Sequence, residues 1–118
     1  MAGLEIKDFS APVEVRRPKG VTVEVVEVAG GEVGRYTFEP GWRWSECIKP
    51  VVGTDSCQVE HVGYVVSGML GIRLDDGSTG EITPGSVYRI APGHDGWVLG
   101  DEPAVVVEFQ GAADYAKR

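Results

Sequence analysis

Glycine and proline cut this chain at intervals too short for a helix of more than two turns. Seventeen Gly and seven Pro are spread over 118 residues. Many sit in turn-forming pairs: Gly30-Gly31, Pro40-Gly41, Asp76-Gly77, Pro84-Gly85 and Pro92-Gly93. The intervals are filled by Val, Tyr, Phe, Thr and Ile in runs of about five to eight residues, the length and composition of strands. In Met69 to Asp75, Leu70, Ile72 and Leu74 share one face, and Asp76-Gly77 supplies a tight hairpin turn with positive φ. Ser86 to Ala91 carries bulk on both faces, and Ala104 to Phe109 is apolar except for Glu108 and reads as buried on both sides. Val21 to Val28 changes phase between Val25 and Val26, which predicts a bulge. Trp42 and Trp44 flank Arg43 on a further predicted strand. The sum is about nine or ten short antiparallel strands, an all-β sandwich or barrel with at most a short C-terminal helix in AADYAKR.

A chain of this length closes one core, so residues 1–118 read as a single domain. Eleven Lys plus Arg against 18 Asp plus Glu leave a net charge of −7, and the basic residues are scattered apart from Arg16, Arg17 and Lys19. Nucleic acid and anionic membranes both need a basic footprint and are not expected partners. Charged Glu5, Lys7 and Asp8 interrupt the segment where an export signal would be apolar, and no stretch is long enough to span a bilayer. A cytoplasmic location follows as the expectation, with Cys47 and Cys57 as reduced thiols; a disulfide between them is the alternative.

From Pro40 to Gly111 the order of elements resembles the cupins. HVGYVVSG matches the end of the first cupin motif, with Gly68 as its closing glycine, and PGSVYRIAPG matches the start of the second. The resemblance implies a jelly-roll β-barrel with its core in 33–111. It also implies a homodimer, with the strands from Leu4 to Val28 at the interface, and a divalent transition metal in the barrel. The chain departs from the pattern at the ligand positions. His61 stands where the family has its glutamate, and the H-x-H pair is replaced in one register by Cys47 and Lys49, in another by Asp55 and Cys57. In the second motif the expected histidine falls on Gly96, while His94, two residues earlier, shares its face if the chain is extended.

His61, His94, Cys47 and Cys57 are the metal candidates, with Asp55 behind them. Thiolate and imidazole donors suit zinc, iron or copper rather than magnesium or calcium. Trp44, Trp97, Arg43 and Arg89 are the candidates for a small-molecule pocket, aromatic walls with a few polar points. Asp95 could orient His94 if PGHDGW forms a turn. No nucleophile elbow, phosphate loop or dinucleotide fingerprint occurs, and no carboxylate pair is brought together. Two functions fit: a small organic molecule held beside a transition metal, with oxygenase or isomerase chemistry, or a non-catalytic binding or sensing module without metal.

Overall fold

A computed structural model describes residues 3–112, 114, 115 and 117. Nine strands appear among them: β1 (Glu14–Arg16), β2 (Val21–Val28), β3 (Gly31–Phe38), β4 (His61–Ser67), β5 (Met69–Leu74), β6 (Thr79–Ile82), β7 (Val87–Ile90), β8 (His94–Leu99) and β9 (Ala104–Gln110). They form two antiparallel sheets, one of six strands in the order β1-β2-β3-β9-β4-β7 and one of three in the order β6-β5-β8. Alternation along the strands turns Val21, Val23 and Val25 of β2, Tyr36 and Phe38 of β3, Val65 of β4 and Val106 of β9 inward. Leu70, with Ile72, Leu74 and Val98 partly covered, meets them from the smaller sheet. Two inner faces packed in this way make a jelly-roll sandwich.

The sheets are not closed into a hydrogen-bonded barrel. No ladder joins β6 to β7 among the described residues, and the free edge of β8 is covered by irregular chain instead. Val98 N–H donates to Trp42 O at 3.0 Å, and single bridges join Arg43 to Trp97 and Cys57 to His94. The connection that does this contains two four-residue helices, α1 (Trp44–Cys47) and α2 (Lys49–Val52). The expected strand through Trp42 and Trp44 therefore stops at Arg43. The Asp95 carboxylate accepts from Ser45 N–H at 3.1 Å, satisfying a free donor at the start of α1. No described helix is long and apolar enough to cross a membrane.

Other details differ from the sequence reading for local reasons. β2 and β3 pair without a break from Val21↔Phe38 to Val28↔Gly31, so the expected bulge is absent; the register shifts fall in β4 against β9 instead. Val26, the residue out of phase, is buried on the sheet's opposite face. β7 is an edge strand whose outer face is open, leaving Val87 76 % exposed while Tyr88 and Ile90 point inward. In β9 it is Glu108 that points inward, and Phe109 is 61 % exposed. The β5–β6 hairpin uses a turn closed by Gly77 N–H on Leu74 O, with positive φ at Gly77 alone of the predicted pair. Gly68, between β4 and β5, has φ of 72°, and a Cβ there would run into the backbone of Pro103 and Ala104. The C-terminal helix was expected over residues 112–118; Ala113, Ala116 and Arg118 lie outside the described residues. Asp114 and Tyr115 form a turn on Gly111 O, and Arg16 ties that turn to β1 by donating to the carbonyls of Ala112 and Tyr115.

Candidate metal centre

Three separate segments deliver one buried cluster. His61 opens β4 on its inward face, opposite Ile90 of β7. His94 opens β8 after the Pro92-Gly93 turn and also faces inward. Cys57 belongs to neither sheet and is brought in by its backbone. Its N–H donates to His94 O at 2.7 Å, while its carbonyl accepts from Gly93 N–H at 2.7 Å and His94 N–H at 3.2 Å. One potential ligand atom from each of Cys57, His61 and His94 lies within 4.8 Å of the others, and the three residues are 3 %, 5 % and 4 % exposed.

Each ring has one nitrogen already engaged, which decides what the other can do. His61 Nδ1 donates to Glu108 Oε1 at 2.6 Å, leaving Nε2 3.7 Å from the Cys57 sulfur. His94 Nδ1 donates to Ala91 O at 2.8 Å, which frees its Nε2 as well. Glu108 accepts a second hydrogen bond from the Tyr88 hydroxyl at 2.6 Å. That approach depends on Gly63, where a Cβ would collide with the Tyr88 hydroxyl and with Val107 O.

The charges reinforce this arrangement. Burial, the largest influence on Cys57, pushes its thiol up, but the hydrogen bonds and charges of His61 and His94 together outweigh it, bringing the pKa from 9.0 down to about 6. Burial likewise disfavours the His61 cation, yet the Glu108 carboxylate, followed by the contact with Cys57, raises it from 6.5 to about 10. Tyr88 is raised well above 10.0 by burial and then by the Glu108 charge. Without a metal, the lowered Cys57 thiol and the raised His61 imidazole stand side by side with Glu108 in the interior. A divalent cation on the thiolate and two neutral imidazoles, beside the Glu108 carboxylate, would make the buried set neutral. Two Nε2 atoms and one Sγ also match the donor types of zinc, copper or iron sites, whose bonds of about 2.0–2.3 Å require only a modest contraction of the cluster. The residues present fit such an ion.

Of the residues singled out from the sequence, His61, His94 and Cys57 converge. Cys47 is buried in α1 outside the cluster. Asp55 is fully exposed and 3.9 Å from Lys49 Nζ, so the segment TDSC supplies its cysteine alone. Both cysteines are free thiols. Trp97 lies on the outer face of β8, flat against Gly71, with the Arg43 guanidinium 4.7 Å above its ring. Asp95, on that same outer face, binds the start of α1 and faces away from His94. Arg89 is on the surface, paired with Glu60 at 2.5 Å. Trp44 is buried beside Cys57, where it lines a cleft of about 180 Å³ together with Ile48 and Val52. The aromatic walls beside the two histidines are instead Tyr36, Phe38, Trp42, Tyr88 and Tyr115, around a cavity of only about 40 Å³.

Glu108 is the functional residue that the sequence reading passed over. Its signal was present: it shares the inward phase of Ala104 and Val106 in β9, and an acidic residue at such a position needs a partner.

This arrangement of sheets is the cupin fold. Among similar solved structures, KdgF from a Halomonas species has a TM-score of 0.60 at 18 % identity, covering 91 % of this chain and 91 % of its own. A cupin-like protein from Thermotoga maritima has a TM-score of 0.54 at 18 % identity, with 83 % of this chain and 72 % of its own covered. The formate complex of Lactobacillus farciminis oxalate decarboxylase has a TM-score of 0.57 at 17 % identity; the match covers 83 % of this chain but spans only 30 % of that longer one. No family profile and no curated protein sequence matches.

Proposed function

We propose that the protein is a metal-binding cupin in which Cys57, His61 and His94 hold one divalent transition metal beside a site for a small organic molecule. The observation that carries this reading is the commitment of both imidazoles. With each Nδ1 donating to a protein acceptor, both Nε2 atoms are left free in a buried pocket, that of His61 3.7 Å from the Cys57 sulfur. Bound there, the metal would supply Lewis acidity or oxygen activation, the chemistry of an isomerase or oxygenase. The protein's part is to present the ligands, keep water out with the aromatic wall, and hold the His61 proton on Nδ1 against Glu108.

The test is elemental analysis of protein purified without a metal-binding tag. About one equivalent of metal is expected, lost in His61→Ala and Cys57→Ser. Cobalt added to metal-free protein should give the intense near-ultraviolet absorption of a cobalt–thiolate bond. Metal-free protein that gains no such band would overturn the reading and favour the alternative, a binding or sensing module without metal. Stabilisation of that module by its ligand would survive a chelator.

A further inference from the structure

The cavity beside the histidines has room for about one water-sized group, too little for an organic substrate. A second space adjoins it. Where the sheets fail to close, between β6 and β7, a cleft of about 310 Å³ opens to solvent, and Ile72, Ile82, Tyr88 and Ile90 line both spaces. No backbone ladder crosses this seam, so the partition between the two is built of side chains, which change rotamer far more readily than a sheet parts.

We propose that this cleft binds the body of the substrate while its head reaches through the shared wall to the metal. The proposal rests on the metal reading above. The chemistry of the two ends sets the ligand class. At the inner end, the imidazoles and their metal call for a small oxygen-donor head such as a carboxylate or hydroxamate. The cleft itself is walled by Ile72, Leu74, Ile82 and Ile90. Arg89, its cationic residue, is already held by Glu60. An anionic tail therefore finds no unpaired guanidinium, and Glu81 at the rim repels it. A neutral aliphatic body fits instead, on the order of ten non-hydrogen atoms at about 30 Å³ each.

Straight-chain hydroxamates, from acetohydroxamate to octanohydroxamate, test this on the cobalt-loaded protein, with visible absorption reporting the metal. Affinity should rise roughly two- to fourfold per methylene until the cleft is full, as expected for burying CH₂ groups. In Thr79→Trp, which fills the cleft away from the shared wall, the gain with length should vanish while acetohydroxamate still binds. In the unaltered protein the longer probes should shift the amide resonances of Thr79–Ile82 and Val87–Ile90. A flat series on protein that retains cobalt overturns this proposal alone, as would shifts confined to the cleft beside Trp44 and Cys57. Failure to retain cobalt overturns the metal reading and this one with it.

Discussion

Glu108 shows how much a single carboxylate governs at the scale of one residue. By accepting from His61 and Tyr88 it sets the tautomer of His61 and pins one wall of the cavity. Glu108→Gln keeps the shape and removes the charge. Metal affinity should fall roughly ten- to a hundredfold, as when other partners of ligating histidines are removed. Competition against a chromophoric chelator would show it, and an unchanged affinity would mean that Glu108 only fills space. Cys57, His61 and His94 were legible in the sequence because so few other side chains of this chain carry soft donors. Glu108 was not, because a lone acid in a run of valines reads as an interruption until its inward phase is matched to a ring on β4. The choice between Cys47 and Cys57 was equally closed to the sequence, since it depends on a backbone bridge to His94 across a long stretch of chain.

Among the elements, the strands were legible from their alternation and punctuation, whereas the path from Pro40 to Glu60 was not. GWRWS alternates as a strand does, but its hydrogen bonds go to the edge of β8 and to Asp95, and the chain coils after Arg43. The turn between β2 and β3 carries a testable strain. Its two loop residues are Ala29, with φ of 54°, and Gly30, with φ of 77°. A tight hairpin with two positive φ angles suits glycine or asparagine at both positions, and the left-handed region costs an alanine roughly 1–2 kcal/mol. Ala29→Gly should therefore stabilise the protein by about 0.5–1 kcal/mol after the extra chain entropy of glycine. Urea unfolding should show a higher midpoint with an unchanged slope. Gly68→Ala should do the reverse by about 2 kcal/mol or more, because it combines a positive φ with a collision against backbone that cannot move aside.

For the whole molecule, the buried titrating groups set the pH range of the metal-free form. His61 is raised from 6.5 to about 10, so its contribution to stability is complete below 6.5 and lost as pH climbs through about 10. Cys57 is lowered from 9.0 to about 6, so its contribution is complete above 9.0 and lost as pH falls through about 6. Between these limits the gain from one offsets the loss from the other. Tyr36, Tyr88 and Tyr115 are all raised above 10.0, chiefly by burial, and each must lose its proton on unfolding in alkali. The melting temperature of metal-free protein should hold a plateau from about pH 6.5 to 9 and drop steeply above about pH 10. A profile that stays flat above about pH 10 would mean that the tyrosines are hydrated in the folded state. The two-sheet architecture was readable from the sequence, but the open seam was not, since nothing in local alternation tells whether two edge strands meet.

The bridge that carries Cys57 also unites unlike partners. Of the three proposed ligands, Cys57 hangs from an irregular stretch that follows two single-turn helices, while His61 and His94 stand on sheet strands. Fraying is cheapest in such stretches. On gentle warming the sulfur would swing away first, so an ion held there would escape through a local opening while both sheets stayed intact.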